Sequence, residues 1–415
     1  MITNIHQLKR ACHLSIILML FSFVLSRVAL EIFAGTSVLI FVTYLAQERN
    51  TKLLMPNSLV KFTWFFWLSV IFMTLVNVDG RLLSAIVWGR YILLMLAISW
   101  VYTNNKAYLQ QLWSVVLLIA VFLLVDSWWQ YVWGLDILGK PILYAGVSDS
   151  ARLTGPFTYP RVGSALAIFA VLAWSYLVNT TWLKNKITKA RQHKILLTIV
   201  LSAIIVVVTI FISNERRAFM AILATAGFII LAWPGRKLLF MSSGCLMLAL
   251  ILLLGWQFAP GNFYRQVTKF NDYYQNFWHT EYGEVWYGAI NLGQERPLSG
   301  VGIKNFSNYN PYFEASDGMR AAHHAHNYYL QFFSEQGYPG LVLFSLWVLS
   351  VLVFLNRNWH RLDFTLKCAA IIVVVQLIPI APNPSFYTAW GAVPLWLLLG
   401  LLMALSHSKE QQREE

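Results

Sequence analysis

Residues 195–233 read ILLTIVLSAIIVVVTIFISNERRAFMAILATAGFIILAW. A helix crosses a bilayer with roughly 17–25 apolar residues, so this stretch predicts two transmembrane helices, 195–213 and 217–233. They are joined by Ser213-Asn-Glu-Arg-Arg-Ala218, a turn so short that Arg216 and Arg217 must sit at membrane level. An arginine at that depth is expensive unless it is paired or faces a polar cavity, and is functional by default. Glu215 is able to neutralise one of the two, not both.

The same apolar pattern recurs along the chain. Twelve segments are predicted to span, at about 12–27, 29–47, 58–78, 82–102, 108–130, 162–183, 195–213, 217–233, 238–258, 339–355, 367–381 and 388–406. Only 12% of the 415 residues are charged and 58% are hydrophobic, against about 25% charge in a soluble domain. The fold class is therefore an all-α polytopic membrane protein of about twelve transmembrane helices, with the lipid bilayer as its first partner. Disordered and fibrous classes are excluded. The net charge of +13 does not argue for nucleic acid, because cytoplasmic loops of membrane proteins carry an excess of Lys and Arg. Lys9/Arg10, Arg49/Lys52, Lys106, the Lys184–Lys194 run, Arg236/Lys237 and Arg357–Lys367 fall on one side, which sets both termini in the cytoplasm. Lys9 and Arg10 precede an apolar stretch with no small-residue cleavage site, so residues 12–27 read as a first span. Cys12, Cys245 and Cys368 lie in or beside apolar runs and offer no disulfide framework or CxxC metal signature. The domain reading is spans one to nine over 1–258, a large periplasmic loop domain over 259–338, three more spans over 339–406, and a cytoplasmic tail at 407–415.

The opposite face then holds the 134–161 loop, the 213–217 turn and the 259–338 segment. Fourteen aromatics between residues 259 and 325 argue that the last is folded, since disordered linkers lack them. They include Tyr264, Tyr273, Tyr274, Trp278, Trp286, Tyr287, Tyr309 and Tyr312. Such rings suit stacking on sugar faces or an interfacial aromatic belt. This face is expected to be poor in basic residues, yet it carries Arg27, Arg81, Lys140, Arg152, Arg161, Arg216, Arg217, Arg265, Lys269, Arg296, Lys304 and Arg320. Singly, each reads as a solvated or snorkelling charge; as a set they ask for an anion. Guanidinium forks match phosphate oxygens bidentately, so a lipid phosphate or pyrophosphate is the natural partner of Arg216 and Arg217. Arg152 and Arg161 flank Gly155-Pro-Phe-Thr-Tyr-Pro160 and are placed to join them, whereas Arg90, in mid-span, is expected to pair within the helices.

Residues 320–340 carry His323, His324 and His326. Pro339 disfavours helix at Tyr338 and restarts one, which predicts a separate short helix over 326–336, lying on the outer surface or dipping into it. His326 opens that helix, where the dipole disfavours imidazolium and leaves a neutral ring suited to general-base work. Metal binding by the three histidines is the alternative, but no HExxH or DxD is present. His323 and His324 read as ordinary interface residues.

His326-Asn327, nine residues, then Gly337-Tyr-Pro-Gly340 resembles the H-[N/S/Q]-x9-G-x-x-G motif of bacterial O-antigen ligases, within the wider O-antigen ligase/polymerase family. Ser213-Asn-Glu-Arg216-Arg-Ala218 is similar to the family's S-R-x-A turn. Arg296-Pro-Leu-Ser-Gly-Val-Gly-Ile-Lys-Asn-Phe306 looks like its P-L-x-G-x-G-x-x-x-F segment, and Arg152-Leu-Thr-Gly-Pro-Phe-Thr-Tyr-Pro160 like its R-x-x-G-x-F-x-x-P stretch. The resemblance covers about 150–345. Two positions depart from the pattern: Gly283 stands where the family often has Arg three residues before the tryptophan matching Trp286, and Arg161 where it has Asn.

The resemblance implies a GT-C-like ligase that moves a finished O-antigen glycan from undecaprenyl pyrophosphate to lipid A–core at the periplasmic face of the Gram-negative inner membrane, with no cofactor and no metal. Carried over, His326 is the base and Arg216 holds the donor pyrophosphate. Arg217, Arg152, Arg161, Arg265, Arg296, Lys304 and Asn327 are the expected substrate contacts, with Arg265 ahead of Arg296 as the second functional arginine. A glycan polymerase and a protein O-oligosaccharyltransferase use the same chemistry on other acceptors. A transporter is the reading from another class, but no repeated halves of the kind transporters show are visible.

Overall fold

The computed structural model describes residues 5–49, 51–77, 80–144, 151–180, 189–232, 237–269, 274–309 and 322–414. Lys184, Arg236, Tyr273, Tyr312 and Arg320, named above, lie outside the described residues. The chain is an all-α polytopic membrane protein, 80% helical. Helices α1 (Ile5–Leu25), α2 (Arg27–Glu48), α3 (Ser58–Val76), α4 (Leu82–Trp88), α5 (Arg90–Tyr102), α6 (Lys106–Trp133), α7 (Val162–Val178), α8 (Lys189–Ile212), α9 (Arg216–Ala232) and α10 (Lys237–Phe258) are followed by α11 (Glu281–Glu295), α12 (Tyr328–Asn358), α13 (Phe364–Gln376) and α14 (Ala389–Glu414). Between α6 and α7, strands β1 (Leu143–Tyr144) and β2 (Ala151–Arg152) pair antiparallel.

Each of the twelve apolar segments contains a helix. Among the described residues seven helices are long and apolar enough to cross a membrane by length and composition, and Val162–Val178, Val200–Ile212, Phe364–Gln376 and Ala389–Ala404 are shorter apolar helices. The run Ile204-Ile-Val-Val-Val208 in α8 has the composition of a strand. In hydrocarbon a lone strand leaves its N–H and C=O groups unpaired, and the helix satisfies them internally. Starts are set by local chemistry: Ser26 Oγ accepts from Ala29 N, and Asn57 Oδ1 from Val60 N at 3.0 Å. The segment 82–102, expected as one helix, breaks at Gly89. The segment expected to run to 381 ends at Gln376, ahead of Pro379, Pro382 and Pro384, none of which can donate to a helix.

The chain divides into two compact units. The first comprises Met1–Lys106, Asn276–Leu362 and Gln376–Glu415; the second comprises Ala107–Gln275 and Asp363–Val375. The 259–338 segment thus contributes 259–275 to the second unit and 276–338 to the first. In the second unit, Trp128 of α6 donates to Thr209 of α8 at 3.0 Å, and Asn179 after α7 donates to Asp363 at 3.0 Å. The core of the first unit is aromatic. Phe332 stacks on Phe344 with centroids 4.6 Å apart, Phe66 lies 6.0 Å from Trp347, and Trp88 lies 5.5 Å from Phe386. Trp347 Nε1 donates to Thr63 Oγ1 at 3.1 Å. Such pairs each add about 0.5–1.5 kcal/mol beyond burial.

The predicted interruption of α12 is present. Gly337, at φ 67 and ψ −163, separates a first half that starts at Tyr328 from the long half carrying Pro339. The first half is not a surface helix, because Gln331 through Gly337 are all buried, with Phe332 and its neighbours held in the aromatic core. The break takes Ser334 O and Glu335 O out of the helical ladder, since Pro339 has no N–H and Tyr338 N turns away to Pro297 O at 2.8 Å. Val301 N fills the first carbonyl and Gly302 N the second, both at 2.9 Å. Asn77 Nδ2 then anchors the same loop through Gly300 O at 2.9 Å. The approach leaves no room for a side chain at Gly300, where φ is +60 and an added Cβ would stand 2.2 Å from Gln336 N.

Gly300→Ala is accordingly expected to lower the thermal unfolding midpoint in detergent by the equivalent of at least about 1–3 kcal/mol. Gly35→Ala, where an added Cβ meets nothing within 4 Å, should stay within about 0.5 kcal/mol of wild type. Equal midpoints for the two variants would remove this interlock from the account.

Candidate active site

In the second unit, five arginines are drawn to one turn. Helix α8 ends at Ile212 and α9 begins at Arg216, with Asn214 at a left-handed φ of 63 between them. Residues with short polar side chains tolerate that conformation best. The turn binds three other parts of the unit. Leu153 N donates to Ser213 O at 3.2 Å and Asn214 Nδ2 donates to Ala151 O at 3.0 Å, so the backbone on either side of Arg152 is fixed against it. Asn262 Nδ2 donates to Ile212 O at 2.9 Å and Gln266 Nε2 to Phe211 O at 3.4 Å. Those bonds satisfy carbonyls that the end of α8 leaves open and bring Arg265, lying between the two donors, to the same place. Arg216 and Arg217 form the first turn of α9 and are half-buried.

Glu215, read from the sequence as able to neutralise one of that pair, also caps another helix. Its carboxylate reaches the N-terminus of α7, accepting from Gly163 N at 2.7 Å, Ser164 Oγ at 2.8 Å and Ser164 N at 3.3 Å. Burial raises its pKa, opposed by those donors and by Arg152. The packing is close: a Cβ on Gly163 would lie 2.4 Å from Ser213 Oγ. Arg161, the residue before α7, has its guanidinium 5.7 Å from the Tyr159 ring. Five arginines thus lie on the turn or on segments bonded to it, and Glu215 is engaged as a cap of α7, beside the N-termini of α7 and α9. Both termini present positive potential.

The loop bearing Arg152 is ordered by α6. Gln130, fully buried, accepts from Thr154 N and Gly155 N, both at 2.9 Å, and donates to Thr154 Oγ1 at 2.8 Å. Lys140, expected among the anion-facing residues, donates its ammonium to Pro156 O and so braces the loop.

In the first unit, His326 stands just ahead of α12, half-buried, at a left-handed φ of 51. The helix begins at Tyr328, two residues later than expected, because Asn327 is its N-cap: Oδ1 accepts from Tyr329 N at 2.9 Å and Leu330 N at 3.1 Å. Asn327 Nδ2 donates to Pro379 O. The side chain expected to meet substrate is therefore engaged at both ends within the fold. The His326 ring faces Tyr282 of α11 edge-on at 5.8 Å and lies 4.1 Å from His324. A small core of Val285, Ala289, Leu292, Val301, Phe306 and Ala325 ties α11 to this segment. Among the described residues no group of three or more His, Cys, Asp or Glu is placed to hold a metal ion.

Two other expected contacts have partners here. Arg296 lies over Tyr309 at 4.6 Å. Lys304, at φ 58, has its pKa lowered by burial and then by the nearby charge of Arg90. Arg81 Nε donates to Asn305 Oδ1 at 3.0 Å. Arg90 pairs with Glu31 at 2.6 Å, the partner within the helices that its mid-span position predicted. The nine expected site residues thus fall into two groups. Arg152, Arg161, Arg216, Arg217 and Arg265 belong to the second unit; His326, Asn327, Arg296 and Lys304 belong to the first. Residues not singled out from sequence are Glu215 as a cap, Gln130, Gln331, Asn383 and the loop after α13. Their only signal was polarity inside otherwise apolar stretches.

No curated protein matches the chain. A family model described as O-antigen ligase matches residues 201–345. The matched stretch opens in α8 and closes just past Gly340, so it takes in the arginine turn, Arg265, the Pro297–Gly302 loop and the histidine segment. Residues 201–345, which carry both Arg216 and His326, are thus the part of the chain that is similar to the O-antigen ligase family.

Proposed function

We propose that the protein is an O-antigen ligase, transferring glycan from undecaprenyl pyrophosphate to the lipid A–core oligosaccharide of lipopolysaccharide at the periplasmic face of the Gram-negative inner membrane. The family comprises membrane ligases and polymerases of this chemical type. The observation that carries the reading is the arginine turn, where Arg152, Arg161, Arg216, Arg217 and Arg265 are tied by hydrogen bonds to residues 211–217 or to the helix that Glu215 caps. An arginine at membrane depth is tolerated where it is paired or faces a polar cavity, and marks a functional site by default. Arg152 Nε is buried without a hydrogen-bond partner among the described residues. A pyrophosphate offers the oxygens that guanidinium forks match.

The acceptor sugar hydroxyl loses its proton to His326 as its oxygen attacks the anomeric carbon. The bond from that carbon to the donor phosphate oxygen breaks, and the electron pair leaves on lipid pyrophosphate. Arg216 and its neighbours stabilise the growing negative charge, the task a metal performs in other transferases. A single displacement inverts the anomeric configuration. Arg296 and Lys304 complete the proposed substrate contacts. Twelve spans with both termini cytoplasmic, and the 259–338 segment in the periplasm, complete the proposal. A polymerase runs the same chemistry with a lipid-linked glycan as acceptor, and the family match covers it equally.

General-base catalysis supplies about 10²–10⁴-fold, so His326→Ala should raise the barrier of transfer by about 3–6 kcal/mol, measured as kcat with purified donor and acceptor. Wild-type kcat in that variant would end the base assignment. Arg216→Lys retains charge and loses the fork, and should be impaired chiefly when the donor is saturating. Full activity of Arg216→Lys would exclude bidentate pyrophosphate binding there.

A further inference from the structure

Between α13 and α14 the chain runs Leu377-Ile-Pro-Ile-Ala-Pro-Asn-Pro-Ser-Phe386, with prolines at 379, 382 and 384. Proline fixes φ and stiffens such a loop. Asn383 closes it on itself, its Nδ2 donating to Gln376 O at 3.0 Å and Ala381 O at 3.2 Å. The loop belongs to the same unit as His326 and grips the histidine segment along its length. Asn383 N donates to His326 O at 2.6 Å, and Asn327 Nδ2 donates to Pro379 O. Tyr329 Oη donates to Leu377 O at 2.9 Å. Gln331 accepts from Phe386 N and donates to Ser385 Oγ, both at 3.0 Å.

These bonds converge on a residue that needs holding. A non-glycine residue in the left-handed region costs on the order of 1–3 kcal/mol and persists only where its surroundings over-determine it. His326 is such a residue, with its carbonyl bonded to the loop and its successor bonded to both the loop and the helix. We propose that the Leu377–Phe386 loop is a rigid clamp that fixes the direction of the His326 imidazole, with Asn383 and Asn327 as positioning residues. Asn327 then acts through the histidine and does not itself contact glycan. The inference rests on His326 being the base, and it deepens that reading. A displacement of about 1 Å in a catalytic group is enough to cost about 10²-fold in rate, so a clamp of this kind sets turnover without touching substrate.

Two substitutions in the full-length protein, reconstituted in lipid nanodiscs, separate positioning from folding. Asn327→Asp retains the two acceptors that cap α12, Asp being as good a cap as Asn, but loses the donor to Pro379. Asn383→Asp loses both donors that close the loop. Two quantities are read: kcat and KM of glycan transfer, and the rate of diethyl pyrocarbonate modification at His326 relative to the exposed His323, by mass spectrometry. Both variants are expected to lower kcat by roughly tenfold or more with donor KM within about twofold, and to change the His326-to-His323 labelling ratio. A wild-type ratio would overturn the clamp, whether or not kcat had fallen, because the residues would then act on something other than the histidine. If His326→Ala transferred glycan normally, the base assignment would fail. The labelling ratio in the two Asp variants would still decide whether the loop positions the ring.

Discussion

Two backbone hydrogen bonds, Val301 N to Ser334 O and Gly302 N to Glu335 O, hold together the part of the molecule on which the histidine depends. A helix interrupted by a left-handed glycine and a proline leaves carbonyls unpaired in a buried place, where each costs about 1–3 kcal/mol if unmet. The Pro297–Gly302 loop meets them with its own amides, which is possible because a glycine brings its backbone against the break. Two motifs that look like separate signatures in the sequence are thereby halves of one joint. Its consequence is that the first half of α12 is a short, fixed rod within the aromatic core, with Asn327 as cap and His326 at its tip. The motif's glycines thus serve the placement of His326.

The other group is organised by a carboxylate. Glu215 supplies the first acceptor of α9 through its backbone, Phe219 N bonding to Glu215 O at 3.0 Å, while its side chain caps α7. One residue therefore satisfies two helix starts. The turn between α8 and α9 draws in the backbone beside Arg152 through Ala151 and Leu153, and that beside Arg265 through Asn262 and Gln266.

Much of this was legible in the amino-acid order, and the reasons differ by element. The helices were, because hydrocarbon leaves the backbone no other local solution and apolar length is written in the sequence. So was the pairing of Arg90 inside the helices, since a mid-span cation has few alternatives. The break at Gly337 followed from Pro339, but the full burial of residues 331–337 did not: the helix was placed on the outer surface or dipping into it, and Gln331, Ser334, Glu335 and Gln336 are enclosed with the aromatic core. Glu215 was read as able to neutralise one of its chain neighbours; nothing in the sequence pointed to the donors its side chain caps, 51 and 52 residues away. Lys140 was read by its charge and is used as a hydrogen-bond donor to a loop carbonyl. The Leu377–Phe386 loop carries no charge, and its prolines marked only where a helix ends; long-range backbone bonds such as Asn383 N to His326 O leave no trace in composition.

The chemistry proposed for these features is displacement at a sugar carbon with a lipid pyrophosphate leaving, with a histidine as base and arginines in place of a metal. Its most direct test is to incubate the purified protein with undecaprenyl-pyrophosphate-linked glycan and lipid A–core in the presence of EDTA, and to follow where the glycan goes. Glycan joined to lipid A–core, at a rate that EDTA leaves unchanged, is the predicted result. Glycan lengthening on the lipid carrier, or transfer that EDTA abolishes and added metal restores, would contradict the account.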